Sequence, residues 1–272
     1  MEVVNKLSRR LIFFDIDGTL VSFQTHQIPE STLSALAEAK RRGHKLFICT
    51  GRPRQWVFTS AIEPAIPLLD GIITVNGAQS FVGNSEASCL PMLQRDVELL
   101  LEDATRYGYP CVVVGEKDVA VYNANPMVEK LFRDFIQVDD VDFSLPVEQI
   151  LGRQRVLQLS PFFTAEQQER IIPHLSEVFC TRWHPAFADV IHIGANKGNA
   201  IADVAAHLGT SLADTIAFGD GENDNSMLEC AGVGVAMGNA TPGTKAAADF
   251  VTRSVDEGGI AHALRHLGVI GL

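Results

Sequence analysis

The most restrictive feature of this chain is a short apolar run that ends in two acids. Residues 11–14 are all large and apolar, and Asp15 and Asp17 follow directly, with Gly18 after them. A short apolar run bounded by a turn signal is typical of a buried strand in a parallel sheet. Open α/β sheets carry their chemistry at the carboxyl ends of such strands, so the pattern predicts an acidic site at that edge.

Two carboxylates this close together repel each other, and a cation is the usual compensation. Magnesium is a hard ion that takes oxygen ligands, so Mg²⁺ is the expected ion. Taken alone, however, the segment 15–20 is explained equally well by a strand end followed by an ordinary Asp-Gly turn. Other parts of the sequence are needed to decide between the two interpretations.

Three further segments place polar groups after short apolar runs or at a predicted helix start. These groups are the side chains of Thr50, Arg52, Lys197, Asp220, Asn223 and Asp224 and the backbone N–H of Gly51. Carboxylates can hold a metal, while a hydroxyl, a glycine N–H and a lysine can hold an anion, and phosphoryl transfer requires both. The combination, in this order, favours a phosphoryl-transfer site over a simple turn.

These motifs resemble those of the haloacid dehalogenase (HAD) superfamily, and more narrowly its Cof-type (class IIB) phosphatases. The matching segments are 15–19 (Asp-Ile-Asp-Gly-Thr), 50–52 (Thr-Gly-Arg), 197–198 (Lys-Gly) and 219–224 (Gly-Asp-Gly-Glu-Asn-Asp). The resemblance implies a Mg²⁺-dependent phosphatase that hydrolyses small phosphorylated metabolites, with sugar phosphates expected, through an aspartyl-phosphate intermediate. It also implies a cap domain inserted into the catalytic core.

Four residues are expected to be catalytic. Asp15 is the expected nucleophile and a metal ligand, and Asp17 the general acid and base. The resemblance implies that Asp17 also binds the metal, through its backbone carbonyl. Thr50 would donate to a phosphoryl oxygen, and Lys197 would neutralise charge shared by Asp15 and the phosphoryl group. A merely solvated lysine at a helix start is disfavoured by the helix dipole.

The remaining expected site residues hold the metal or the substrate. Asp220 is expected to complete the Mg²⁺ site, and Asp224 is assigned to the same site. Contacts with phosphate or substrate are expected from Gly51, Arg52, Asn76 and Asn223. Simpler explanations stay open for some of them, since Asn223 and Asp224 could only cap a helix and Asn76 could only belong to a turn.

The order of predicted elements indicates a divided core. Alternating strand and helix patterns occupy 1–80 and resume at 188–272, which predicts a Rossmann-like parallel sheet with helices on both faces. Between them, 81–187 is predicted to form an inserted α+β cap, with a helix near 126–135 and an acidic loop containing Asp139, Asp140 and Asp142. We expect this insert to act as a lid that excludes water and selects the substrate.

Composition excludes several classes of partner. The formal charge is −11 over 272 residues, without the basic face of a nucleic-acid-binding protein. The five cysteines contain no Cys-x-x-Cys pair, which argues against zinc or a disulfide framework. No run approaches the ~18 apolar residues of a membrane span, and residues 1–10 lack the apolar centre of a signal peptide. We therefore expect a cytoplasmic protein, a monomer or weak dimer, without membrane or nucleic-acid partners.

Two other functions stay open at this point. A related capped family uses the same Asp-x-Asp-Gly-Thr start to move phosphate between sugar positions, so a sugar phosphomutase is the first alternative. The second is a non-catalytic binding or regulatory protein. It is less expected because every proposed catalytic position carries a chemically competent residue.

Overall fold

The computed structural model describes residues 9–126, 128–131 and 144–271. Its strands and α-helices are β1 (Leu11–Phe14), α1 (Glu30–Arg41), β2 (Lys45–Cys49), β3 (Gly71–Thr74), β4 (Gln79–Val82), β5 (Ser85–Cys89), α2 (Gln94–Tyr107), β6 (Cys111–Gly115), β7 (Val119–Tyr122), β8 (Val156–Pro161), α3 (Ala165–Ile171), β9 (Val178–His184), β10 (Phe187–His192), α4 (Lys197–His207), β11 (Thr215–Gly219), α5 (Asn225–Cys230), β12 (Val233–Ala236), α6 (Pro242–Ala246), β13 (Phe250–Val251) and α7 (Gly259–His266). None of these helices combines the length and the apolar character needed to cross a membrane.

The chain divides into two compact units. The first contains the described residues of 1–51, 58–88 and 196–272, and the second contains those of 52–57 and 89–195. The predicted domain boundaries at 80 and 188 stay a prediction. A division into compact units does not establish which segment is inserted into which. The helix predicted near 126–135 lies partly outside the described residues, and the predicted acidic loop with Asp139, Asp140 and Asp142 lies wholly outside them.

The first unit is built on a sheet of eight strands in the order β13-β12-β11-β1-β2-β3-β4-β5. The pairings from β13 to β3 are parallel, and β4 runs antiparallel to β3. The predicted α/β fold class with a Rossmann-like parallel sheet is confirmed. Strand β1 lies between β2 and β11, which come from different ends of the chain, so the strand order reverses at β1. Ligand sites in such sheets form at the carboxyl end of this reversal point.

Strand β1 is apolar at every position because both faces of the central sheet are covered. Phe13 stacks on Phe47 of β2 at 5.1 Å between ring centroids, and the same cluster includes Ile201 of α4. On the opposite face, Phe14 stacks on Phe218 of β11 at 5.0 Å. Alternate residues of a strand point to opposite faces, so a strand buried on both sides needs a continuous apolar run and not an alternating one.

The second unit is a five-stranded antiparallel sheet in the order β7-β6-β8-β10-β9. Helix α2 covers one face through Val97 and Leu100, which belong to the same apolar cluster as Leu159 of β8 and Val190 of β10. The sheet alternates along each strand, so the neighbouring positions in β8 and β10 lie on the other face. This unit therefore has an apolar core of its own on the helix-covered side.

The core assignment predicts a large loss of stability for Phe47→Ala. The ring is fully buried against Phe13, so truncation removes apolar burial and leaves a cavity, and about 3–5 kcal/mol of unfolding free energy should be lost. Urea unfolding followed by circular dichroism measures the effect. Phe58→Ala is the control, because that side chain is 49% exposed and should change stability by less than about 0.5 kcal/mol. Equal losses in the two variants would contradict the assignment.

Candidate active site

Three adjacent parallel strands bring predicted site residues to one edge of the first unit. Asp15 follows β1, Thr50 follows β2 and Asp220 follows β11. The backbone hydrogen bonds between neighbouring strands continue one residue past the ends of β1 and β2. Asp15 N donates to Phe218 O at 3.0 Å, and Thr50 N donates to Ile73 O at 2.9 Å. Backbone hydrogen bonds therefore hold these two residues in place independently of their side-chain contacts.

Lys197 connects this edge to the start of α4. Its side chain is fully buried, and Nζ donates to Asp15 Oδ1 at 2.6 Å and to Asp224 Oδ1 at 2.5 Å. Burial alone would lower the pKa of Lys197, but the two carboxylates together raise it above its ordinary range. The lysine is therefore a fixed cation between two acids that are far apart in the chain.

The loop after β11 is shaped by Asp224. Its Oδ2 accepts the backbone N–H groups of Asp220 and Gly221 at 2.8 and 2.9 Å, while Oδ1 accepts from Lys197. These bonds account for the burial of this side chain, since both of its oxygens accept hydrogen bonds. Asp224 therefore orients both the lysine and the backbone that carries Asp220.

Three carboxylates form a group that could hold a metal ion. One oxygen from each of Asp15, Asp220 and Asp224 lies within 4.8 Å of the others. Burial raises the pKa of Asp15 to about 8, against the lowering effect of Lys197. Burial also raises the pKa of Asp220 to about 7, against a bond from Thr19 Oγ1 at 2.9 Å. A cation among them would hold the acids ionised, so this all-oxygen group fits a hard divalent ion.

The backbone around Asp17 forms a tight loop beside these acids. Asp17 pairs with Val21 in a single β-bridge, and Gly18 N donates to Val21 O at 2.9 Å. Gly18 has φ +81°, and a Cβ at this position would lie 2.2 Å from Asp220 Oδ2. Only glycine fits there. The carboxylate of Asp17 is not part of the group of three, and its roles as general acid and backbone ligand stay predictions.

Three of the predicted substrate contacts adjoin one another. Asn223 Nδ2 donates to Asn76 Oδ1 at 3.1 Å, and a Cβ on Gly51 would lie 3.1 Å from that same oxygen. Asn76 has left-handed backbone geometry, with φ 50°, which asparagine tolerates better than most residues. Arg52 belongs to the second unit, where its Nη1 donates to Trp56 O at 3.2 Å.

Two further residues contact the acidic loops without having been assigned a role from the sequence. Thr19 binds Asp220, and its position directly after the Asp-x-Asp-Gly segment is a signal that could have identified it. Asn239 donates to Gly18 O at 2.8 Å and accepts from Val255 N at 2.9 Å. Nothing in the sequence near Asn239 indicates this contact, because its partner Gly18 is 221 positions away.

The chain matches a family model and is similar to several known proteins. The family model for haloacid dehalogenase-like hydrolases matches residues 12–264. "Putative phosphatase YkrA" of Bacillus subtilis (strain 168) is 35% identical over 271 residues, covering 97% of this chain and 100% of that protein. A solved structure described as the HAD subclass IIB sugar phosphatase BT4131 is 41% identical with a TM-score of 0.84, over 96% of this chain and 100% of that one. BT1666 from Bacteroides thetaiotaomicron, described among HAD phosphatases, is 32% identical with a TM-score of 0.84, over 99% and 98%.

The contacts of Lys197 predict that its replacement lowers the stability of the fold, separately from any effect on turnover. Lys197→Met leaves Asp15 and Asp224 buried without their cation, and breaking a buried pair in this way typically removes about 3–5 kcal/mol. We expect that loss in urea unfolding with chelator present, and partial recovery when a divalent cation is added. Lys45→Met is the control, since Lys45 lies 3.8 Å from Asp70 and is 41% exposed, and should lose less than about 1 kcal/mol. A Lys197→Met protein as stable as the wild type would refute the role of the ion pair.

Proposed function

The chain belongs to the haloacid dehalogenase-like hydrolases, and we propose that it is a Mg²⁺-dependent phosphatase that releases inorganic phosphate from a small sugar phosphate. The observation that carries the proposal is the convergence of Asp15, Lys197 and Asp220 from three distant segments on one site. Phosphatases are named among its relatives, and one similar structure is described as a sugar phosphatase. These names support the reaction class and the substrate class proposed here.

In the first step, a carboxylate oxygen of Asp15 attacks phosphorus and the bond from phosphorus to the ester oxygen breaks. Asp17 gives its proton to the departing alkoxide, and the phosphoryl group stays on Asp15 as an aspartyl-phosphate. In the second step, Asp17 takes a proton from water, which attacks the same phosphorus. Inorganic phosphate leaves, and Asp15 returns as a carboxylate.

Charge on the phosphoryl oxygens requires fixed donors. We assign this role to Lys197, Thr50 and the backbone N–H of Gly51, with Asn76 and Asn223 nearby as substrate contacts. Preorganised donors of this kind stabilise the charge that develops in the transition state. The buried position of Lys197 strengthens its effect, because little solvent is present to screen it.

The metal would be held by the carboxylates of Asp15 and Asp220 and by the backbone carbonyl of Asp17, with Asp224 adjoining. Mg²⁺ fits this oxygen-only set and is commonly bound by one or two carboxylates together with a substrate phosphate. When bound, it would neutralise phosphoryl charge and hold Asp15 ionised for attack. Both oxygens of Asp224 already accept bonds, so we assign it mainly to positioning Lys197 and Asp220.

The remaining parts of the proposal rest on the sequence. The insert 81–187 is proposed to be the cap domain of this family, and Arg52 stays a proposed substrate contact. We also propose a cytoplasmic monomer or weak dimer that acts on a small molecule without a membrane partner. The net charge of −11 supports the absence of a nucleic-acid partner.

The proposed function predicts phosphate release that depends on both Mg²⁺ and Asp15. Wild-type protein should release phosphate from at least one member of a panel of sugar monophosphates, lose this activity in chelator and regain it with Mg²⁺. Asp15→Asn should lower kcat by at least about 1000-fold, and Asp17→Asn by about 100- to 10,000-fold, because proton transfer to the leaving group is lost.

The matched control is Asp203→Asn, an exposed acid on the same helix as Lys197, which should leave kcat within twofold, roughly the noise of such an assay. Substantial turnover by Asp15→Asn would refute its role as nucleophile. Phosphate transfer between sugar positions without free phosphate would instead identify a phosphomutase.

A further inference from the structure

A cavity of about 420 Å³ lies in the second unit, along one side of helix α2. Its wall on this helix includes Arg95, Leu99, Asp103 and Arg106. These positions recur every three or four residues, so they form one stripe of the helix surface. The other wall comes from residues between 170 and 174, at the end of α3 and just beyond it. The cavity has the size of a typical small-molecule site, about 300–1,000 Å³.

Arg170 is held in a fixed orientation on the wall of this cavity. Its Nη2 donates to Asp103 Oδ2 at 2.7 Å, and its Cζ lies 3.6 Å from the ring centroid of Tyr107. Asp103 is itself fixed, because the same oxygen accepts from the hydroxyl of buried Tyr109 at 2.8 Å. A guanidinium has five N–H donors, and within the described residues Arg170 uses one of them, in the bond to Asp103. The other donors stay available on a group that is already oriented.

The charges around the cavity favour an anion. Three arginines line it, Arg95, Arg106 and Arg170, against two acids, Glu102 and Asp103. In the described part of the chain neither Arg95 nor Arg106 pairs with an acid, whereas the charge of Asp103 is already matched by Arg170. This local excess of cations contrasts with the formal charge of −11 for the whole protein. An anion would therefore be attracted by the cavity and not by the overall field of the protein.

Stability of the fold explains only part of this arrangement. The ion pair between Arg170 and Asp103 joins α3 to α2 across 67 positions of the sequence, which is a structural role in itself. Arg95 and Arg106 take no part in that contact, and both residues are exposed. Cations gathered around one cavity repel each other, and a bound anion would offset that repulsion.

We propose that this cavity binds a small molecule carrying two negative charges on oxygen, as a phosphate monoester or a dicarboxylate does, with Arg170 as the central donor. An arginine can bind such an oxyanion through two parallel N–H bonds. A doubly charged group is also attracted more strongly to Arg95 and Arg106 than a singly charged one. Leu99 and Ile171 provide apolar surface for the carbon portion of the molecule. The inference does not rest on the proposed function, because it concerns binding to the second unit alone.

Isothermal titration calorimetry of the full chain, dialysed free of metal, tests the proposal with inorganic phosphate and malonate. Acetate is the singly charged control. Without metal, Asp15, Asp220 and Asp224 repel anions, so the acidic site should not contribute to binding. We expect at least one dianion to bind at a single site, about 10-fold or more tightly than acetate, because the second charge adds a charged hydrogen bond.

The two dianions distinguish the sources of the ligand. Binding of phosphate alone would support a phosphate ester, binding of malonate alone would support a dicarboxylate, and binding of both would support the shared chemistry. Binding of neither dianion would overturn the proposal. Acetate that binds as tightly as the dianions would also overturn it.

Single substitutions test whether the dianion binds in this cavity. Arg95→Met and Arg106→Met should each weaken its binding about 2- to 5-fold, the usual effect of an exposed ion pair. Arg170→Lys should weaken it about 10-fold, since lysine keeps the charge but loses the fixed fork of donors. Glu102→Gln should instead tighten binding about 2- to 5-fold, because it removes an acid from the cavity. A general loss of stability would not produce this change of opposite sign.

The matched controls are Arg153→Met and Glu148→Gln, which alter exposed residues of the second unit outside the cavity. Both should leave the affinities unchanged. Equal weakening by the arginine variants inside and outside the cavity would overturn the proposal, because the effect would then follow the total charge. Unchanged affinities in every variant of the exposed cavity residues would also overturn it. These residues are exposed, so the test does not depend on whether Arg170→Lys folds.

Discussion

The contact between buried Lys197 and the carboxylates of Asp15 and Asp224 is the interaction on which the site depends. It joins the end of β1, the start of α4 and the loop after β11, which no local interaction would bring together. Without the lysine, two acids would be buried with too little compensation. The same ion pair therefore holds the fold together at this edge and positions the proposed nucleophile.

The charge of the whole protein, −11, does not attract an anionic substrate. The proposed chemistry must therefore rely on local groups, namely Lys197, the donors at Thr50 and Gly51, and a cation among the acids. Burial makes these groups effective and also raises the pKa of Asp15 and Asp220. The burial that strengthens the donors therefore also disfavours the ionised carboxylates, and a divalent ion among them fits this arrangement.

Sequence patterns identified much of the fold and site. The apolar runs before Asp15, Thr50 and Asp220 are the central parallel strands, as predicted, because a strand buried on both faces leaves a continuous apolar signal. Asn239 could not be found in this way, since its contact with Gly18 depends on how distant loops meet. The contact between Gln158 and Asp189 could not be predicted for a related reason. It follows from the pairing of β8 with β10, and local periodicity does not determine the register between strands.

The sequence by itself determined the fold class, the family resemblance and the residue types available for catalysis. These depend on local patterns, namely apolar runs, turn residues and the spacing of the acids. Each such pattern lies within a few consecutive residues of the sequence. Only the tertiary structure decided that Lys197 bridges Asp15 and Asp224, that Arg52 belongs to the second unit, and that Gln158 contacts Asp189. Each of these depends on contacts between remote segments, which arise only when strands pair and helices pack.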